Sequence, residues 1–189
     1  MTPATALCLR GALMLVLGAT LAACSGPKLV ERASAGFDLN GTWRLDHERS
    51  DAPPNAKAMV DRMDRAIVRS SRRQRLGRQL ADAAVYAFIT QDFPIAVAER
   101  LKVEQNADSM GIRYEPGGYR DVSWGEKDRG LWTVNAGWDP DGSLVIRSKS
   151  HDMRAWEEHV LLDADTLQVH LQVEAEAGNL DLVRVFVRE

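Results

Sequence analysis

The chain has 189 residues, a formal net charge of −3, 45% hydrophobic and 27% charged residues, a profile that suits a globular domain able to bury a sizeable core. Its two cysteines are Cys8 and Cys24. The chain after Cys24 therefore holds no thiol, which excludes cysteine catalysis, thiolate metal sites and disulfides from it.

Arg10 precedes the run GALMLVLGATLAA from Gly11 to Ala23. A membrane-spanning helix needs about 20 apolar residues, so this segment is too short to span and fits the core of a secretory signal peptide. Leu21, Ala22 and Ala23 lead directly into Cys24, a pattern that resembles the lipobox of bacterial lipoproteins. The resemblance implies cleavage before Cys24, a diacylglycerol thioether on its sulfur and acylation of the freed amine. Residues 1–23 would then be a lipoprotein signal peptide, and the mature protein would be anchored to the membrane through lipidated Cys24 without spanning it. Two or three acyl chains make such an attachment persistent, whereas one is marginal at ~0.8 kcal/mol per buried methylene. Ser25 stands where an aspartate would imply retention at the inner membrane, so the resemblance implies a lipid anchor in the cell envelope, at the outer membrane and facing the periplasm. Export to that compartment leaves no role for nucleic acid.

Residues 24–36 form the expected lipidated tether: SGPKLVERASAG shows no sustained period, and a flexible coil of this length spans ~20 Å on average. Residues 37–189 are the expected single β-rich domain. After a short strand at Gly41 to Leu45, the period becomes helical. Met59, Met63, Ala66 and Ile67 make one stripe, and Leu76, Leu80, Ala83, Ala84, Ala87 and Phe88 a second. A break near Ser70 or Gly77 makes this insertion, around 54–92, either one bent helix or two, and Pro94 ends it. Between Lys57 and Arg78 lie eight basic and two acidic residues. The arginines Arg62, Arg65, Arg69, Arg72, Arg73, Arg75 and Arg78 suit a solvated helix face, a surface lying on anionic lipid headgroups, or a docking patch for an acidic envelope protein.

From Leu101 onward, short segments of alternating apolar residues recur between turn signals, which marks an antiparallel barrel or sandwich. Leu167, Val169, Leu171 and Val173 occupy one face of their strand, with Gln168, His170, Gln172 and Glu174 on the other. Trp132, Val134, Ala136 and Trp138 alternate likewise. Val183, Val185 and Val187 are expected to face the core, as are Trp156, Glu158, Val160 and Leu162. Gly125 to Gly130 reads as a polar loop, and Asp139-Pro-Asp-Gly142 as a type I turn followed by a left-handed glycine. The count comes to about nine strands in a meander. They form a mainly β fold that closes as a barrel or partial barrel, or wraps around a covering helix, with the helical insertion between the first and second strands.

Gly41-Thr-Trp43 resembles the Gly-x-Trp signature that opens lipocalin-type barrels. Asn40 to Asp46 with Ser50-Asp51, and later Trp138 to Ile146, resemble uncharacterised secreted bacterial proteins with a lipocalin-like β domain. The lipocalin resemblance implies an arginine near the last strand, Arg184 or Arg188, packed against Trp43. Helices placed between the first two strands also resemble the fatty-acid-binding barrels, where they cap the open end.

The four histidines, His47, His151, His159 and His170, show no metal-ligand spacing. Glu157 and His159 share a strand face and are either an acid–base pair or a polar pair on a solvated sheet. No nucleophile elbow, phosphate loop or EF-hand loop occurs, so no cofactor or metal is called for. These features suggest a non-enzymatic binding or envelope-associated module carrying a small apolar molecule, with Trp132, Val134, Trp138, Ile146, Trp156 and Val169 as candidate lining. Two alternatives are an interaction protein that docks through the basic insertion, and an enzyme built around His159 or His151.

Overall fold

The computed structural model describes residues 28–32, 36–54, 89–175 and 178–189. Cys24, the signal segment and the basic arginines Arg62 to Arg78 lie outside the described residues.

Ten antiparallel strands make one sheet: β1 (Gly41–Leu45), β2 (Arg100–Gln105), β3 (Ser109–Glu115), β4 (Tyr119–Ser123), β5 (Gly125–Arg129), β6 (Trp132–Trp138), β7 (Leu144–Lys149), β8 (Met153–Asp163), β9 (Thr166–Ala175) and β10 (Gly178–Arg188). Their spatial order is β4-β3-β2-β1-β10-β9-β8-β7-β6-β5. β4 and β5 follow one another in the chain, yet they stand at the two ends of this order. In a flat sheet β4 and β8 would lie six strand spacings apart, ~29 Å at ~4.8 Å each. Instead Arg120 on β4 bonds Glu157 on β8 and approaches Ser148 on β7. The sheet is therefore rolled into a nearly closed barrel, hydrogen-bonded all the way round except between β4 and β5.

The tenth strand beyond the expected nine is β5, which read as a polar loop. Its residues after Gly125 are all charged and all exposed, so it has no apolar alternation to reveal it. A charged edge also resists pairing with another chain.

Register decides which face of each strand turns inward, because directly paired residues share a face. β9 behaves as expected: Leu167, Val169, Leu171 and Val173 are all buried. Its neighbours correct two expectations. Leu182, Arg184 and Phe186 on β10 pair with Leu171, Val169 and Leu167, so Val183 and Val187 point outward. Val185 points the same way, and is buried where Asp46 and Ser50 hydrogen-bond to its backbone. On β8, Glu157 pairs with Leu171 and His159 with Val169. Glu157 and His159 are therefore core residues, 0% and 2% exposed, while Trp156, Glu158, Val160 and Leu162 are outside. The outward Trp156 is covered by Arg147, whose guanidinium carbon lies 4.5 Å from the ring centroid.

The turn at Asp139 forms as expected. Gly142 N–H donates to the Asp139 carbonyl at 3.2 Å, Asp139 Oδ1 accepts from the N–H groups of Asp141 and Ser143, and Gly142 has φ +89°. Before β2, residues 89–92 are helical and give way to a single 3-10 turn at Pro94–Ala96, where proline was expected to end the helix.

Trp43 is fully buried, and its indole N–H donates to the Leu39 carbonyl at 2.8 Å. Of the two arginines implied by the lipocalin resemblance, Arg188 takes the place beside it, 4.1 Å from the ring centroid. Its guanidinium also donates to the carbonyls of Asn40, Asp38 and Ala164. Arg184 is instead buried and donates to the carbonyls of Asp51 and Ala98, each at 2.8 Å.

Part of the expected tether is attached to the barrel. Val30 and Trp138 exchange backbone hydrogen bonds of 2.8 and 2.9 Å, and Leu29 is buried. Gly137 permits this approach, because a Cβ there would lie 2.8 Å from the Val30 carbonyl oxygen. Two residues of strand-like pairing carry no periodicity, so sequence could not distinguish them from linker.

Candidate functional site

The break between β4 and β5 opens a cavity of about 330 Å³. Val122 and Arg120 line it from β4, Lys127 and Arg129 from β5, Trp132 and Val134 from β6, and Ser148 from β7. Phe93 and Pro94, from the segment entering the 3-10 turn, complete its wall. Phe93 and Trp132 meet edge-on, with centroids 5.3 Å apart, and Trp132 Nε1 donates to Asp92 Oδ2 at 2.7 Å. This hydrogen bond satisfies the polar end of the Trp132 side chain.

Of the six expected lining residues, Trp132 and Val134 border this cavity. Trp138, Ile146 and Val169 face inward but belong to the packed core, all under 2% exposed. Trp138 is wedged by Trp124 at 4.6 Å and Phe37 at 6.0 Å. Trp156 lies on the outer surface of the sheet. The inward side chains pack the core of the barrel, and the cavity lies toward the unpaired edge.

The inner end of the cavity is polar: Glu157, which the sequence paired with His159, meets Arg120 there, a partner the sequence did not indicate. Arg120 Nη1 donates to Glu157 Oε1 at 2.5 Å. Arg120 is 18% exposed and Glu157 not at all, so the ion pair links the cavity to the barrel interior. Burial opposes the Arg120 charge, but Glu157 and then Tyr114 more than offset it, and the group is held above the ordinary arginine value. Tyr114 on β3 is buried beside this pair. Burial chiefly, and Glu157 in addition, raise its phenol above the usual range against the opposing charge of Arg120. His159 lies deeper, with Nδ1 lacking a hydrogen-bond partner. Burial pushes its pKa down to about 4, outweighing the attraction of Glu157. At neutral pH the imidazole is uncharged, and Arg120–Glu157 is the ionic pair at this point. The pair Glu157-x-His159 is visible in the sequence on one strand face, but nothing local marks that face as the buried one.

This arrangement offers donors and an aromatic wall. Among the described residues no group of three or more His, Cys, Asp or Glu is placed to hold a metal ion. His151 borders a separate, shallow depression with Lys149, Arg154 and Glu174, apart from His159.

No protein-family model matches the sequence, and no curated protein matches it. Several solved structures are similar. A mutant of the fluorescent protein UnaG is 15% identical, with 80% of this chain and 96% of that one covered and a TM-score of 0.45. The zebrafish ileal bile acid-binding protein complexed with cholic acid is 14% identical over 79% of this chain and 98% of that one, with a TM-score of 0.41. A luciferase domain from the dinoflagellate Lingulodinium polyedrum is 12% identical, with a TM-score of 0.48; the match covers 88% of this chain and 46% of that one. These likenesses concern β architecture and assign neither ligand nor activity.

Proposed function

We propose that the protein is a binding module that holds a small, largely apolar molecule in the cavity between β4 and β5. The observation that carries this reading is the cavity itself: about 330 Å³ at the break between β4 and β5, walled by Phe93, Trp132 and Val134. Ligand sites combine such apolar walls with a few fixed polar groups, and Arg120 and Ser148 supply those here. Native mass spectrometry of the protein purified from its own cells tests it. A retained mass of a few hundred daltons, lost on denaturation, is expected; a clean apo mass that stays unchanged with added apolar compounds would refute the reading.

We further propose that the module is a lipid-anchored envelope protein held through Cys24, as the lipobox resemblance implies. The pairing of Val30 with Trp138 would then leave five Cα steps between Cys24 and buried Leu29, ~18 Å at full extension. The anchor would meet the barrel at the Trp138 end of β6, while the cavity lies at the Trp132 end of the same strand. A ligand would enter from the side facing away from the membrane. Membrane partitioning of wild type against Cys24→Ser tests the anchor: the variant should be released as soluble protein, and equal partitioning would refute it.

A further inference from the structure

The two arginines that line the cavity each already face a carboxylate. Arg120 carries Glu157. Arg129, at the mouth, contacts Asp121 at 3.3 Å and donates to Ser123 Oγ at 3.1 Å. Lys127 is exposed, where water and salt screen its charge. Asp92 accepts from the Trp132 indole. What remains at the inner end is hydrogen-bonding capacity without net charge. Arg120 Nη2 stands 3.5 Å from Ser148 Oγ, the outer limit of a hydrogen bond, and both groups border the cavity.

A carboxylate brought to Arg120 would meet Glu157 directly behind it. The attraction of one and the repulsion of the other largely cancel, while the carboxylate still loses its hydration. An uncharged oxygen accepts the same N–H at a much smaller desolvation cost. We propose that the cavity selects uncharged, oxygen-bearing apolar molecules over carboxylates of the same chain length. Arg120 Nη2 and Ser148 Oγ donate to the ligand oxygen, and Glu157 supplies the discrimination. This inference rests on the cavity being a ligand site.

The test compares methyl decanoate with decanoate by calorimetric titration at pH 7.5. It uses the chain from residue 24 onward with Cys24→Ser, a change outside the described barrel. At least tenfold tighter binding of the ester is expected. Glu157→Gln leaves Arg120 without its counter-charge, so decanoate should then bind at least tenfold tighter than it binds the parent, with the ester changed less than threefold. Ser148→Ala should weaken the ester about threefold and leave folding intact, which keeps the donor assignment testable if Glu157→Gln does not fold. Equal or tighter binding of decanoate by the parent would overturn the selectivity and leave the ligand site standing. Failure of both compounds to bind saturably would overturn the ligand site and the selectivity together.

Discussion

Arg120 on β4 grips Glu157 on β8 across the barrel interior, a contact between strands six places apart in the sheet order. It ties the free edge at β4 to the far wall without any backbone pairing, and it sets the polarity of the cavity's inner end. Removing one partner strands the other as a buried charge, which costs about 3–5 kcal/mol. Arg120→Met should lose that much in urea unfolding. The double change Arg120→Met with Glu157→Leu should lose less than the single one, because no unpaired charge remains. A double variant less stable than Arg120→Met would contradict this.

His159 makes stability depend on pH in a definite direction. Its folded pKa is pushed down to about 4 from 6.5, so between these values the unfolded chain binds a proton that the folded chain refuses. Stability is full above the unfolded value and falls as pH drops toward 4, by about 3 kcal/mol at most from this group. Melting temperatures of wild type and His159→Gln, compared from pH 7.5 to 4.5, should diverge accordingly, with the wild type losing more. Parallel curves would remove His159 as the cause.

Arg188 is expected to be worth more than its partial exposure suggests, since it combines the Trp43 ring with carbonyls from three loop residues. Arg188→Ala should cost about 2–3 kcal/mol, the sum of a cation–π contact and lost hydrogen bonds. Arg188→Lys should recover under half of it, because a point charge cannot serve several acceptors as a planar fork does.

The strap at Val30 predicts a local effect. Val30→Pro removes the N–H that donates to Trp138 and should make residues 28–32 more sensitive to protease while lowering the barrel's stability by only about 1 kcal/mol. Unchanged cleavage would mean that the pairing is not what protects the segment.

These features differ in how far sequence could reveal them. The inward face of β9, the turn at Asp139 and the pairing of an arginine with Trp43 were legible because each follows from local chemistry or a compact motif. The inward faces of β8 and β10 were not. Both alternations of β10 are apolar enough to be buried, and valines suit an outer sheet surface, so only pairing with β9 chooses Leu182 and Phe186. On β8 the polar alternation turns inward, since Glu157 finds Arg120 from a strand 37 residues away. Hydrophobic patterning assigns such residues to solvent, so the Glu157–His159 pair was visible but its burial and its partner Arg120 were not. β5 escaped notice because a strand of charges carries no apolar period at all.

The central claim, a ligand site at the β4–β5 break, is tested most directly by filling it. Val134→Trp introduces bulk into the cavity wall on a partly buried side chain. A titration with N-phenyl-1-naphthylamine, an uncharged apolar fluorophore, should show saturable one-to-one binding to the wild-type barrel and at least tenfold weaker binding to the folded variant. Equal binding by both proteins, or no saturable binding by wild type, would contradict the account.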